Sequence, residues 1–290
     1  SVREGHQSSN EQEHSAAIFL TSSYRFDSAE QAAERFETNQ GNVYSRFTNP
    51  TVSSFQDKLA ALEGAEKCQA TASGMSAIFA TIMTILKPGE HMVASRCMFG
   101  TTIVLLNSII EKFGIKVTFV DLPDLDGWKN SIQNNTKLFL LETPSNPLGE
   151  VVEIKKLAAI SKQNDIVLAV DNCVMSPALQ RPLSLGADLV IHSATKYIDG
   201  QGRCLAGAVA GKASIIDEIS LLNVTNLHGV KIKESNIREN YNLIVVGLVN
   251  GDGSYEINPD PHKKLQQSHT LMLMGQKDKL ESFKADFRKG

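Results

Sequence analysis

The stretch that decides the fold is IHSATKY, residues 191–197. It follows a largely apolar run, residues 187–191, which is typical of the end of a buried strand. It places Ser193, Thr195 and Lys196 within four residues, just ahead of a glycine-rich segment. Open α/β sheets bind their ligands at the carboxyl ends of their strands. The stretch therefore predicts a ligand site on the loop that follows this strand.

A lysine at this position favours covalent chemistry. An amine held in an apolar setting loses its charge, becomes nucleophilic and can form a Schiff base with an aldehyde. The hydroxyls of Ser193 and Thr195 suit a phosphate group. The aldehyde cofactor that bears a phosphate is pyridoxal phosphate (PLP), so Lys196 is the candidate for its attachment. The alternative is a surface lysine that only follows a strand.

Composition bounds the class of protein. The chain has 290 residues, 42% of them hydrophobic and 21% charged, with a formal net charge of −3. These values are typical of a globular protein and give no reason to expect a nucleic acid or an anionic membrane as a partner. No run reaches the roughly 18 apolar residues of a membrane span, and residues 1–15 contain no signal-peptide core. Four widely separated cysteines match no metal-binding spacing and indicate reduced thiols in a cytoplasmic protein.

Strand-like and helix-like segments alternate from residue 51 to residue 220. This alternation predicts an α/β fold, with a mainly parallel sheet covered by helices on both faces. Residues 1–50 are predicted to be an irregular arm, and a helix is predicted from Pro50 to Leu62, ended by Gly64. The predicted strands are 67–70, 91–94, 115–120, 137–141, 166–172, 188–191 and 206–210.

Two segments have the composition of anion sites. A turn of small residues opens the helix after the first strand, so the amides of Ser73, Gly74 and Met75 would face an anion. Tyr44 and Arg46 are two residues apart, and an extended backbone would point both side chains the same way, as a phosphate clamp. Each pattern has an ordinary alternative, because many helices begin with small residues and many Tyr-x-Arg pairs are simply exposed surface.

Three further candidates lie at predicted strand ends or helix starts. Asp171 ends an apolar strand and needs a positive partner, which a protonated pyridine nitrogen would supply. The ring of Phe99 can lie against a flat cofactor, and two prolines hold Asn146 at the end of another strand. The alternatives are that Asp171 caps a helix or pairs with an arginine, and that Phe99 only closes the core.

Residues 1 to about 220 resemble the cystathionine γ-synthase family of PLP enzymes, which have the fold type I, aminotransferase-like architecture. Within that family, residues 97–102 and 171–203 are most similar to the O-succinylhomoserine sulfhydrylases. The resemblance implies a PLP-binding α/β domain over residues 51–220. The motifs that carry it are YSRFTNPT (44–51), ASGMSAI (72–78), ETPSNP (142–147), VDN (170–172) and HSATKY (192–197).

The resemblance implies a role for each candidate residue. Lys196 would bind PLP and later move the α-proton of the substrate, and Asp171 would pair with the pyridine nitrogen. Asn146 would lie near the phenolic oxygen of the ring. The phosphate would be held by Ser193, Thr195 and the amides of Gly74 and Met75.

Two expectations concern the neighbouring subunit and the stacked ring. Tyr44 and Arg46 would reach the phosphate bound by a neighbouring subunit, which implies a homodimer or homotetramer. Phe99 stands where most members of the family have a tyrosine that stacks on the cofactor. Stacking survives that change, but a phenol proton donor does not, so acid–base work would fall to Lys196.

The reaction implied by the resemblance is γ-replacement on a small amino-acid substrate, O-succinyl- or O-acetylhomoserine. Sulfide or a thiol such as cysteine would be the acceptor, and homocysteine or cystathionine the product. The preference between replacement and elimination stays open. An inactive scaffold of the same fold is the third possibility, beside the enzyme and the module described next.

The resemblance implies a C-terminal domain with an arginine that binds the substrate carboxylate. Residues 221–290 do not continue that resemblance. Instead, residues 235–248, 257–261 and 270–283 resemble the C-terminal regulatory domain of RCK proteins of potassium channels and transporters. That likeness predicts a small α+β unit over residues 229–287 that dimerises and binds a small ligand. One hypothesis is a chain that holds PLP without a closed substrate pocket.

Overall fold

The computed structural model divides the chain into two compact units, residues 1–224 and residues 225–290. The structure describes residues 5, 8–38, 41–223, 230–231, 244–249, 254–257 and 270–274.

The first unit is built on a seven-stranded sheet with the strand order β1-β7-β6-β5-β4-β2-β3. The strands from β6 to β3 in that order run parallel to one another, whereas β7 is antiparallel to both β6 and β1. The predicted fold class, an α/β fold with a mainly parallel sheet, is confirmed. The strands are β1 (Lys67–Thr71), β2 (His91–Ser95), β3 (Lys116–Val120), β4 (Thr136–Glu142), β5 (Val167–Asp171), β6 (Leu189–His192) and β7 (Gly207–Gly211).

Eight α-helices are described in this unit, and local sequence signals explain where several of them begin and end. In α2 the side chain of Asn49 accepts hydrogen bonds from the amides of Thr51 and Val52, and Pro50 stands at the first position. Gly64 then ends the helix with φ of 73°. The helices are α1 (Ala29–Thr38), α2 (Pro50–Glu63), α3 (Gly74–Ile85), α4 (Gly100–Ser108), α5 (Leu125–Asn130), α6 (Ile154–Gln163), α7 (Ser176–Leu179) and α8 (Ala213–Asn223), with 3₁₀ turns at Ile110–Phe113 and Pro182–Leu185.

The sheet is buried on both faces, and β4 shows why. Successive side chains of a strand point to opposite faces. Leu138 and Leu140 join one apolar cluster with α3 and α4, whereas Phe139 and Leu141 join another with α6 and Trp128. Parallel strands covered on both sides therefore read as continuous apolar runs rather than alternating ones.

The same architecture gathers the polar strand ends at one edge. Because β4, β5 and β6 are parallel, their carboxyl ends lie side by side. Glu142 pairs in register with Asp171, and Asp171 with Ile191. The loops after these strands therefore meet at the edge where open α/β sheets bind ligands.

The second unit contains a four-stranded antiparallel sheet in the order β10-β9-β11-β8. Of the three segments that carry the RCK resemblance, residues 235–243, 258–261 and 275–283 lie outside the described residues. None of the described helices of the chain is both long and apolar enough to cross a membrane. The strands are β8 (Val230–Lys231), β9 (Ile244–Val249), β10 (Tyr255–Ile257) and β11 (Thr270–Met274).

Candidate active site

The loop after β6 is fixed by its own backbone. The Lys196 amide donates to the Ser193 carbonyl at 3.1 Å, and the Gly200 amide donates to the Lys196 carbonyl at 2.8 Å. The Thr195 hydroxyl donates to the Ala206 carbonyl and accepts from the Ala206 amide, each at 3.1 Å. The predicted phosphate hydroxyl of Thr195 is therefore already engaged by the chain.

The surroundings of Lys196 differ from those that the sequence predicted. The prediction required an apolar setting, whereas the residue is exposed in the single chain. The difference follows from its position, because the loop stands beyond the carboxyl end of β6 at the open edge of the sheet.

The N-terminus of α3 is pressed against this loop. A Cβ atom added to Gly74 would lie 2.6 Å from the Cβ and 2.9 Å from the Cα of Ser193. On the other side, a Cβ on Gly207 would lie 2.1 Å from the Ser73 carbonyl oxygen. Only glycine permits either approach, so Gly74 lets the helix start lie against Ser193 and Gly207 lets β7 lie against the backbone of Ser73.

A capping box uses two of the polar groups at this helix start. The Ser73 hydroxyl accepts from the Ser76 amide at 3.1 Å, and the Ser73 amide donates to the Ser76 hydroxyl at 2.9 Å. Among the predicted anion-binding amides, that of Ser73 is thus occupied. The first amides of a helix have no partner inside it, so Gly74 and Met75 supply the donors that remain for an anion.

Asp171 is a carboxylate in a low-dielectric setting. Burial, and to a lesser extent the negative charge of Glu142, raise its pKa from 3.8 to about 7, although a hydrogen bond from the Cys173 amide works in the opposite direction. That amide lies 3.0 Å from the Asp171 Oδ1 atom. Within the described ranges Asp171 has no ion-pair partner, although an ionised carboxylate that is largely shielded from water requires one. A protonated ring nitrogen fits this position.

Glu142 is a buried carboxylate at this edge to which the sequence reasoning gave no role. It is 4% exposed, and its Oε2 atom accepts from the Phe99 amide at 2.8 Å. The Asn146 amide also donates to it, and burial raises its pKa. One carboxylate therefore fixes the backbone of both Phe99 and Asn146, whose side chains face solvent. The sequence signal that could have identified Glu142 is the one that identified Asp171, namely a carboxylate at the end of an apolar strand.

Cys173 joins the groups at this edge, and the sequence analysis gave it no role in the site. Its thiol donates to the Ser193 carbonyl at 3.8 Å. Burial and the Asp171 charge raise the pKa of the Cys173 thiol to about 11, while Lys196 lowers it. Asp171 and Lys196 thus both lie within electrostatic range of one thiol.

Tyr44 and Arg46 are neighbours for a different reason from the one predicted. The backbone is a turn, with the Phe47 amide donating to the Tyr44 carbonyl at 2.9 Å, so the extended-chain argument was wrong. The Arg46 guanidinium nevertheless lies 5.5 Å from the centre of the Tyr44 ring and 5.2 Å from that of Phe47. The pair is preformed on the arm by cation–π contacts.

Comparison with known proteins gives this geometry its context. Residues 1–237 match the family described as Cys/Met metabolism PLP-dependent enzyme. The chain is 53% identical over 219 residues to an O-succinylhomoserine sulfhydrylase of Pseudomonas aeruginosa, covering 75% of this chain and 54% of that protein. It is 38% identical over 249 residues to an L-methionine gamma-lyase of Fusobacterium nucleatum subsp. polymorphum, covering 85% of this chain and 61% of that protein.

A solved structure agrees in fold. The crystal structure of a Campylobacter jejuni protein assigned as an O-acetylhomoserine (thiol)-lyase superposes with a TM-score of 0.69 at 33% identity. The match covers 74% of this chain and 53% of that one, and that protein contains N'-pyridoxyl-lysine-5'-monophosphate. The chain spans about half the length of the relatives it matches.

Proposed function

Because this chain belongs to the Cys/Met metabolism PLP-dependent enzyme family, we propose that it binds PLP at the carboxyl edge of β4, β5 and β6. The proposed reaction is γ-replacement on O-succinyl- or O-acetylhomoserine, giving homocysteine or cystathionine. PLP supplies an electron sink for cleavage beside the amino group of a substrate. The protein supplies the groups that hold the cofactor and move protons.

The observation that carries the proposal is the contact between Gly74 and Ser193. It joins a helix N-terminus, which attracts a phosphate, to the loop that bears the candidate lysine. We assign the phosphate to the amides of Gly74 and Met75 and to Ser193, with Thr195 contributing only if its hydroxyl leaves Ala206.

The remaining residues are assigned by their surroundings. Asp171 would hold a ring nitrogen in its protonated form, because that cation relieves the cost of the buried carboxylate. Phe99, fixed through its amide by Glu142, would stack on the ring, and Asn146 would lie beside it. A phenylalanine ring cannot exchange a proton, so the Lys196 amine would carry the proton between substrate carbons.

The cofactor site is tested by trapping. Borohydride reduction of the PLP-loaded chain, followed by peptide mass spectrometry, should place a pyridoxyl group on Lys196 and leave Lys196→Ala unlabelled. A label on any other lysine, or no label, would contradict the assignment.

The reaction is tested with competing substrates. O-succinylhomoserine with sulfide should give homocysteine faster than methionine alone gives methanethiol, because identity to the sulfhydrylase is 53% and to the gamma-lyase 38%. The reverse order would favour elimination as the function. Absence of turnover with every acyl-homoserine and thiol would exclude γ-replacement by this chain.

We also propose a cytoplasmic homo-oligomer, in which Tyr44 and Arg46 of one subunit reach the phosphate bound by another. The exposure of Lys196 in the single chain and the four free cysteines support this proposal. Mixing Arg46→Ala subunits with Lys196→Ala subunits should restore activity, since a hybrid contains one intact site. Failure of the mixture to recover, with each variant folded, would place the whole site within one subunit.

Residues 225–290 support a second and separate candidate, an RCK-like ligand-binding and dimerisation module. The supporting observation is a compact unit with an antiparallel sheet of β9, β10 and β11. A small-ligand screen by thermal shift of the full chain without PLP should then reveal a stabilising ligand. The module would be excluded if no ligand shifted the thermal midpoint and if deletion of residues 225–290 left the oligomeric state unchanged.

A further inference from the structure

A buried polar network lies behind the candidate active site. Glu63 ends α2 and His192 ends β6, and the Glu63 Oε1 atom lies 2.5 Å from the His192 Nε2 atom. Neither side chain is more than 1% exposed. The Asn172 side-chain amide donates to the same Glu63 oxygen at 3.3 Å and to the Gln180 carbonyl at 2.8 Å. One carboxylate oxygen therefore joins a helix end to two strand ends.

The network holds the two loops that carry the candidate cofactor residues. Asn172 immediately follows Asp171, and His192 immediately precedes Ser193. The Glu63 carboxylate thus contacts Asn172, the neighbour of Asp171, and His192, the neighbour of Ser193. These contacts span 109 and 129 positions in the chain, respectively. The carboxylate therefore bridges the ends of the two strands from which these loops begin.

Gln180 extends the same network to a third loop. Its side-chain amide donates to the Asn172 Oδ1 atom at 3.0 Å and to the Thr143 carbonyl at 2.8 Å. Thr143 follows Glu142, the carboxylate that fixes the Phe99 and Asn146 backbones. All three loops at the edge are therefore connected through side chains that do not enter the site.

The energetics favour a positioning role over a purely stabilising one. Burying a pair of ionisable side chains costs several kcal/mol of desolvation. A protein in which apolar residues of similar volume replace such a pair is often equally stable or more stable. Here the Glu63 Oε2 and His192 Nδ1 atoms are also buried without a hydrogen-bond partner among the described residues. The contact is therefore weak evidence for stability, and the property that it does explain is geometric, because it links the ends of two neighbouring strands.

We propose that Glu63 is a positioning residue that sets the spacing between Asp171 and Ser193, and hence between the groups that hold the two ends of PLP. The inference rests on the proposed roles of those two residues. Glu63 acts through Asn172 and His192, and its own side chain is fully buried.

The test uses two ligands of different length on the full apo chain. PLP spans both loops, whereas inorganic phosphate occupies only the Ser193 end. Glu63→Leu should weaken PLP binding about tenfold, the lower end of what loss of an orienting partner costs, and leave phosphate binding, measured by calorimetry, unchanged. Glu63→Gln, which keeps an oxygen acceptor for Asn172, should restore most of the PLP affinity. The exposed Glu111→Leu serves as the matched control.

The outcomes separate the possible failures. Unchanged PLP affinity in Glu63→Leu, or equal loss of PLP and phosphate together with a fall in the unfolding free energy, would overturn the inference. Failure of the wild type to bind PLP would instead overturn the proposed cofactor site. If Glu63→Leu does not fold, Glu63→Leu/His192→Leu replaces both members of the buried polar pair by apolar side chains and should fold. The double variant must then show the same selective loss of PLP.

Discussion

Replacing Asp171 by asparagine should stabilise the apo protein at pH 8. The pKa of Asp171 is about 7 in the folded chain against an ordinary value of 3.8, because burial and Glu142 disfavour its charge. Between these values the folded state holds a proton that the unfolded state has lost, so stability falls as pH rises and levels off above 7. Asparagine has the same shape, cannot ionise, and keeps an oxygen for the Cys173 amide.

The magnitude follows from the same two values. The difference between about 7 and 3.8 corresponds to at most ~4 kcal/mol of unfolding free energy. Since Asp171 keeps some solvent exposure, screening reduces the expected gain to about 2 kcal/mol at pH 8. The gain should shrink steadily as pH is lowered towards 4.

The assay is denaturant unfolding followed by the fluorescence of Trp128. It is the only tryptophan in the sequence and is fully buried in the first unit, so it reports on the fold that bears the site. Asp217→Asn is the control, because its carboxylate is 59% exposed and pairs with Lys67 on the surface; it should change stability by less than ~1 kcal/mol at every pH.

Two results would refute the reasoning. One is an Asp171→Asn variant no more stable than wild type at pH 8, and the other is a gain that does not vary with pH. The same variant should bind PLP roughly ten to a hundred times more weakly, because a charged hydrogen bond of about 1.5–3 kcal/mol is lost. A substitution that stabilises the apo protein and weakens PLP binding is the result expected at a functional residue.

Three further predictions concern the helix start, the far end of the sheet and the lysine. Gly74→Ala should cost about 1–3 kcal/mol, because its Cβ would overlap Ser193, whereas Gly100→Ala, with open space around the added atom, should change the Trp128 unfolding midpoint little. Burial lowers the pKa of His91 below 6.5, so its contribution to stability is present above pH 6.5 and is lost as pH falls through the folded pKa. His91→Gln should therefore reduce the loss of stability that accompanies acidification below pH 6.5. An unchanged acid limb in the variant would assign that loss to other groups. Lys196→Ala should abolish borohydride labelling without lowering the thermal midpoint, because the side chain is exposed, and a lowered midpoint would show that it packs.

Sequence reasoning succeeded where the signal is local. The limits of α2 were predicted from Pro50 and Gly64, and the structure agrees with them to within one residue. It failed for Tyr44 and Arg46, whose proximity comes from a turn and not from an extended backbone, because a two-residue spacing does not specify φ and ψ.

It also gave no role to residues that are defined only by distant partners. Glu142 accepts from Phe99, 43 residues away, and nothing in either motif indicates that contact. The sequence assigned Gly74 only a backbone amide for an anion and gave Gly207 no role, and the neighbouring backbones alone show that neither position has room for a side chain. The exposure of Lys196 was missed for the same reason, since burial depends on which segments cover a loop.

The sequence by itself determined that strands and helices alternate, that the sheet is mainly parallel, and that the reactive side chains follow strands. Periodicity, turns and caps encode these properties over a few residues. Only the tertiary structure decided that β6 lies between β5 and β7, so that Ser193 meets Gly74 and His192 meets Glu63. The reason is physical: strand order and register are set by burial of the whole sheet, which joins residues that are far apart in the chain.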